Sequence, residues 1–416
     1  MSAAGREFDC LIVGAGVTAT VMAGVLLHRG LAASGRVALI ADPVASREAS
    51  SFAEADWDLR VFALSRASQR LLMTCGVWSS LPVQKRFAYE RMCVWDASGA
   101  PQGAGSLTFD CAELGEPNLG FIVEGRALQA ESMRAAAAAG AVFIDGAVAA
   151  LGVEAAGIRL SLADGREFHA PLAIGADGVD SRTRALLGIE TAGHTYHQDA
   201  LVAHVRTAKP HVNTAWQRFL PTGPLAFLPL PDGRSSLVWS TTRAEAARLR
   251  ALEPAAFAAE LTVASGEVLG ACELTTPVAS FPLKLQYALD YVTSRAVLVG
   301  DAAHVVHPLA GQGLNLGLLD CAALAEVLGE AGGAEGYGDA RVLRRYERWR
   351  RSENLLTATA LDGLERLFAN RHPSITALRV AGLGAVGRAP FIKRRLAERA
   401  LGIAGDVPGF LRKAIP

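Results

Sequence analysis

Apolar residues run almost without a break from Leu11 to Leu27, interrupted only by a glycine turn. Residues 8–13 (FDCLIV) predict a buried strand, and the stretch after the turn predicts a helix reaching about Gly30. Arg36 to Ile40 (RVALI) predicts a second strand, with Asp42 just past its end. Strands apolar on both faces and joined through a helix predict an α/β fold with a parallel sheet. Further on, Leu64, Ala67, Leu71 and Leu72 are spaced as one helix face within 59–75, stopped by Gly76. Residues 87–95 and 106–109 predict strands, and Ala127 to Ala139 predicts a helix closed by Gly140, with strand AVFI after it. From about Gly193 to Phe281 the pattern is rich in β-branched and aromatic residues and predicts a sheet. RAVLVGD (295–301) predicts one more buried strand. In the helix predicted over 314–328, Leu314, Leu318, Cys321, Ala322, Ala325 and Leu328 share a face. GEAGGAEGYGD (329–339) reads as a loop, and the remainder to Pro416 as helical.

Composition narrows the classes. Of 416 residues 51% are hydrophobic, which excludes disorder, and 41 basic residues balance 41 acidic ones, which excludes a polybasic nucleic-acid binder. Six scattered cysteines without a C-x-x-C pair argue against a zinc site or a disulfide framework and fit reduced thiols in a cytoplasmic protein. The apolar run at the start reads as neither signal nor anchor, because Glu7 and Asp9 follow Arg6 and two glycines open the helix. The expectation is a soluble protein, at most resting on a membrane surface. Charge is unevenly divided: residues 341–416 hold 16 basic and 6 acidic side chains, the first 340 hold 25 and 35. Within the tail, FIKRRLAERAL (391–401) pairs Phe391, Ile392, Leu396 and Ala400 with Lys393, Arg394, Arg395 and Arg399. That pattern suits a solvated helix face or a contact with anionic lipid or an acidic partner.

Three motifs carry chemistry. Gly14-Ala15-Gly16-Val17-Thr18-Ala19 fits G-x-G-x-x-G/A between strand and helix. The first glycine makes the turn, the second admits a pyrophosphate, and the small third residue lets helix and strand pack. Asp42 is placed to accept hydrogen bonds from a ribose. GADGVDSRTR (175–184) follows strand PLAI and carries Asp177 and Asp180. VLVGDAAHVVHPLAGQGLNLG (297–317) ends a strand at Gly300-Asp301, where a carboxylate can grip the hydroxyls of a sugar or ribitol chain. Its PLAGQGLN segment sets Pro308, Gly311 and Gly313 before a helix whose backbone N–H groups would face an electron-accepting ring. A second ligand-gripping strand suits a flavin bound lengthwise. The pieces 1–75, 105–180 and 282–335 would then form one discontinuous FAD-binding domain, 76–104 and 181–281 a sheet-rich substrate domain, and 336–416 a C-terminal helical region.

Together these motifs resemble the class A flavoprotein monooxygenases of the para-hydroxybenzoate hydroxylase fold, and most of all the ubiquinone-biosynthesis hydroxylases of the UbiH/UbiF/VisC type. DLRVFALSRASQRLL (58–72), FIVEGRALQA (121–130), FLPTGPLAFLPLPDGRSSLVWS (219–240) and GIAGDVPGFLR (402–412) extend the likeness along the whole chain. The chain departs from the family at Ala19, at Gly125 in place of asparagine, and at Leu319. The resemblance implies FAD, with Gly14, Ala15 and Gly16 at the pyrophosphate, Asp42 at the adenosine ribose, and Arg60 and Arg126 beside phosphates or ribityl chain. It implies Asp301 at the ribitol and pyrophosphate, and Pro308, Gly311, Gln312, Gly313, Leu314 and Asn315 along the isoalloxazine edge. Asp177 would serve FAD and the reduced nicotinamide. The implied reaction is oxygen transfer from O2 to an electron-rich ring carbon of a polyprenylated phenol, with a lean to C5, and NADPH or NADH as donor. A biosynthetic complex and a peripheral membrane contact are implied partners. A hydroxylase of small soluble aromatics and a non-catalytic FAD-binding subunit remain as alternatives. His304 and His307 flank the loop near the expected flavin, where hydrogen bonding is a stronger expectation than acid–base work. His194 and His197 lack the companions of a metal site.

Overall fold

Cys10–Val13 lies inside a six-stranded sheet ordered Val292–Thr293, Ala296–Leu298, Leu172–Gly175, Cys10–Val13, Val37–Ala41 and Val142–Asp145. All neighbours are parallel except the Val292–Thr293 edge. The computed structural model describes residues 6–42, 57–103, 105–307, 311–370 and 372–412. Cys10 to Val13 are buried throughout, as a strand covered on both faces must be. Helix Val17–His28 covers one face with nine buried residues, and Gly125–Ala138 and Gln312–Gly329 pack beside it. On the other face a four-stranded sheet of Arg6–Glu7, Glu167–Ala170, Ile158–Leu162 and Val148–Val153 closes a core containing Phe8, Leu11, Ile40 and Phe168.

A nine-stranded sheet forms the second half. Its path runs His304–Val305, Ala279–Ala288, Thr191–Thr207, Ser235–Thr242, Gly223–Pro229, Thr214–Leu220, Arg91–Asp96 and Ser106–Asp110, with Cys272–Leu274 paired to Thr191–Thr207. Strand alternation divides its residues. Leu225, Phe227, Leu237 and Trp239 pack with Phe257 and Leu261, while Pro224, Ala226, Leu228, Val238 and Ser240 face the other way.

Three expectations are corrected. The helix expected over 59–75 begins at Arg66; Val61–Leu64 is a strand paired antiparallel with Gly120–Glu124. Ser65 makes the break, its side chain accepting from the Ser68 N–H as the N-cap. The strand expected over 87–95 divides at Glu90. Arg86–Tyr89 joins the three-stranded sheet with Gly120–Glu124, and Arg91–Asp96 joins the large one. Helices Arg243–Arg250 and Pro254–Ala264 stand inside the stretch read as sheet. Strand pairing also crosses two of the expected divisions: Ser106–Asp110 pairs with Arg91–Asp96, and Ala279–Ala288 spans residue 282.

The C-terminal region is helical: Ala340–Ala369, Pro373–Gly387 and Pro390–Ala400. Two of its arginines turn inward. Arg379 donates to Asp96 Oδ2 at 2.8 Å and to the carbonyls of Leu367 and Asn370 at 2.7 Å each, fastening the helix to the large sheet. Arg350 reaches the other half of the molecule, as described below. Among the described residues no single helix is long and apolar enough to cross a membrane, although Pro373–Gly387 and Pro390–Ala400 form an apolar pair bent by 92°.

Candidate active site

Four loops leave the same carboxyl edge of the parallel sheet and are tied to one another. Gly14 N–H donates to Ile40 O (2.8 Å), Ala176 N–H to Val13 O (2.8 Å) and Val299 N–H to Gly175 O (2.9 Å). Arg184 reaches across from the second motif to the third, donating to Ala302 O at 2.9 Å. Gly14 has φ +125°, and a Cβ there would stand 2.3 Å from Ala176 O, so the close approach of the two loops needs glycine. Gly300 is wedged between two helices: its Cβ would meet Thr18 Cγ2 at 2.9 Å, and a Cβ on Gly317 would meet Gly300 Cα at 3.0 Å. The helices beginning at Val17 and Gln312 are thus held against the strand that delivers Asp301.

Both helices start uncapped by any side chain and without an acid in the first turn. Gly16, before the first, has nothing within 4 Å of where a Cβ would be. Gly311, before the second, is left-handed at φ +62° and approaches Ala63. Gln129 helps fix the turn between Gly14 and Gly16 by donating to Ala15 O. Asp301 has an exposed surface, yet burial among surrounding protein raises its carboxyl above the usual range, with Arg60 and His304 pulling the other way. Open helix starts with positive dipole ends, space beside Gly16 and an accessible carboxylate at the strand end fit the pyrophosphate and polyol of FAD. Asp42 is exposed just past Ala41 on the same sheet edge. Arg60 is exposed, its guanidinium 5.0 Å from the Phe62 ring centroid, and Arg126 is exposed with Nε 3.5 Å from Asp58.

Other expected site residues also hydrogen-bond within the frame. Asp177 accepts from Thr183 N–H (2.8 Å), Thr183 Oγ1 (2.9 Å) and Ser181 Oγ, so its carboxylate is occupied within its own loop. Asn315 is buried, with Oδ1 accepting from Ser65 N–H (2.9 Å) and Ser68 Oγ (2.7 Å) and Nδ2 donating to Ala63 O (2.8 Å) and Gly311 O (3.1 Å). It clamps the Val61–Leu64 strand to the start of the Gln312–Gly329 helix. Gln312, Gly313 and Leu314 form the first turn of that helix; Gly313 has open space beside it, and Leu314 packs against the core. Pro308 lies outside the described residues. His307 is fully buried, 3.4 Å from Gln198 Oε1 and edge-on to Tyr196, and desolvation lowers it to about 4, so it is neutral at pH 7. His194 Nε2 lies 3.3 Å from Asp362.

Sequence reasoning missed a buried ionic cluster beneath the Gly300 turn. Asp320 accepts from Gly300 N–H (3.0 Å), His304 Nε2 (2.5 Å), Arg350 Nε (2.8 Å) and Asn354 Nδ2 (3.0 Å). Burial pushes its carboxyl up, but the charges and hydrogen bonds of His304 and Arg350 win and hold it at about 2. The available signal was spacing. Asp320 falls four residues from Leu316 and from Leu324, on the apolar face.

Between the three-stranded sheet and the large one lies a pocket enclosing about 840 Å³ of space, part of it open to solvent. Val61, Ala63 and Gly311 form one wall, and the even-numbered residues of Gly223–Pro229 face them. Polar groups are few: Tyr89, Gln217 and Ser240. Burial pushes the Tyr89 hydroxyl up to about 12, so it remains a donor. Ser240 Oγ is buried and has no hydrogen-bond partner among the described residues. An apolar cavity with a few aimed polar groups suits an aromatic ring carrying one or two oxygens.

The arrangement suits a flavoprotein, with an apolar chamber that reaches the turn at Gly311. A family profile described as an FAD binding domain matches residues 146–357. The chain is 36% identical to the 3-demethoxyubiquinol 3-hydroxylase of Escherichia coli, with 95% of this chain and 98% of that protein covered. It is also 36% identical to the ubiquinone hydroxylase UbiL of Rhodospirillum rubrum, covering 99% and 94%. Among solved structures, p-nitrophenol 4-monooxygenase PnpA of Pseudomonas putida superposes with a TM-score of 0.74 at 16% identity, over 95% of this chain and 98% of that one, a likeness of fold. The chain belongs to the ubiquinone-biosynthesis family of class A FAD-dependent hydroxylases.

Proposed function

We propose that the protein hydroxylates the aromatic ring of a polyprenylated phenol on the route to ubiquinone, with C5 of a 2-polyprenylphenol as the favoured position. The observation that carries this reading is the apolar chamber that reaches Gly311 and is supplied with three hydrogen-bonding groups. The names of the full-length relatives support the substrate class. Bound FAD, reduced by NADPH or NADH, supplies the activation of O2. Gly14, Ala15 and Gly16 would receive the pyrophosphate, Asp42 the ribose and Asp301 the ribitol, while Arg60 and Arg126 border the phosphates. Gly311 to Asn315 would frame the isoalloxazine edge, where the helix start favours negative charge on the reduced ring. Tyr89, Gln217 and Ser240 orient the phenol oxygen, and the apolar walls exclude water from the reacting carbon. A peripheral membrane contact and membership of a biosynthetic complex fit a lipid-like substrate.

The test is reconstitution of purified protein with FAD, NAD(P)H, O2 and a short-chain prenylphenol. A product heavier by one oxygen atom is expected. Nicotinamide oxidation that the phenol leaves unchanged, with no hydroxylated product, would overturn the reading.

A further inference from the structure

A second cavity lies across one side-chain pair from the ring chamber. It is an open groove of about 1040 Å³ between helix Cys111–Leu114 and helix Pro390–Ala400, with Phe109, Leu114 and Phe391 in its lining. Met92 lines the ring chamber, Phe109 lines the groove, and the two are directly opposed in the Arg91–Asp96 and Ser106–Asp110 ladder. Residues opposed across a ladder project from the same face of a sheet. Tyr89 and Met92 from the chamber and Phe109 and Leu114 from the groove all pack in one apolar cluster around Leu119 and Leu401. Chamber and groove therefore border one shared cluster of partly buried side chains. Side chains are the cheapest partition to move aside.

The outer end of the groove is also apolar. Phe391 is 73% exposed, and Ile392 and Leu396 on the same helix are 48% exposed each. Lys393 Nζ meets Glu113 Oε2 at 2.5 Å, joining the two walls, and Arg394 lines the groove beside it. A path that begins at an aromatic chamber, passes methionine and phenylalanine, and ends on exposed apolar residues has the character of a hydrocarbon-tail site.

We propose that this groove binds the isoprenoid tail of the substrate, which leaves the ring chamber between Met92 and Phe109 and runs out over Phe391. The assignment rests on the prenylated-phenol reading above. A prenylphenol with a photoreactive diazirine at the end of its tail, irradiated with the FAD-loaded full chain, is expected to label the peptides containing Leu114 or residues 391–397. In parallel, Leu114→Trp, which fills the groove, is expected to lower the ratio of kcat/KM for a tailed phenol to that for its tail-less counterpart at least fivefold. Wild-type enzyme that hydroxylates the tailed phenol while label falls elsewhere and the ratio holds would overturn the groove alone. Wild-type enzyme that hydroxylates no tailed phenol would overturn the substrate reading and the groove with it.

Discussion

Asp320 and Arg350 meet at 2.8 Å with both side chains closed to solvent, one from the helix that follows the Gly300-Asp301 turn, the other from the C-terminal region. Through Gly300 N–H and His304 the same carboxylate shapes the turn that carries Asp301. Arg350→Met leaves a buried carboxylate short of its guanidinium. Breaking such a pair costs about 3–5 kcal/mol. Chemical denaturation is expected to show a loss of that size, and titration with FAD a weaker affinity, although Arg350 lies beneath the cleft and outside it.

Glycine positions separate fold from cofactor. Gly14→Ala drives a Cβ to 2.3 Å from Ala176 O at a φ of +125°, and poor folding is expected. Gly16→Ala meets no protein atom within 4 Å and sits at φ −68°, which alanine accepts. It is expected to fold with an unchanged circular dichroism spectrum and to lose most of its FAD absorbance. Full FAD occupancy in Gly16→Ala would remove that residue from the pyrophosphate site.

Asp301→Ala is expected to purify colourless with an intact fold. Relief of a desolvated acid costs the apoprotein nothing, so any thermal shift without FAD should be small or positive. The visible absorbance after reconstitution decides the assignment; retention of FAD would refute it.

Two acid-side transitions should separate. His307 is depressed from 6.5 to about 4 by desolvation, so the unfolded chain takes up its proton first and stability falls as pH drops from 6.5 to 4. The span amounts to on the order of 3 kcal/mol. Asp320, held at about 2 against an ordinary 3.8, contributes stability above 3.8 that is lost as pH falls towards 2. In His307→Asn the slope between pH 6.5 and 4 should flatten while the lower one persists. Equilibrium unfolding at a series of pH values checks both.

Much of the frame could be read from sequence because local pattern and tertiary position agree. The Cys10–Val13 strand, the glycine turn and the RAVLVGD strand are apolar on both faces and adopt the places their motifs require. Val61–Leu64 misled because Leu64 also satisfies a helical spacing with Ala67 and Leu71, and only pairing with Gly120–Glu124, more than fifty residues away, selects the strand. Asn315 and Asp177 were visible as polar residues in motifs. Their partners, Ser65, Ser68, Ser181 and Thr183, were not, and for Asn315 those partners lie some 250 positions away. Within the basic tail Arg350 and Arg379 are buried against Asp320 and Asp96, and Lys393 and Arg399 reach Glu113 and Glu353. Distance along the chain hides such pairings.

The inward arginines impose an order on biosynthesis. Asp96 and Asp320 are made long before Arg379 and Arg350 emerge, so a nascent chain ending near residue 340 carries two interior carboxylates without the guanidiniums that neutralise them. Such a fragment has reason to stay open, and the cleft for FAD can set only when the last helices dock.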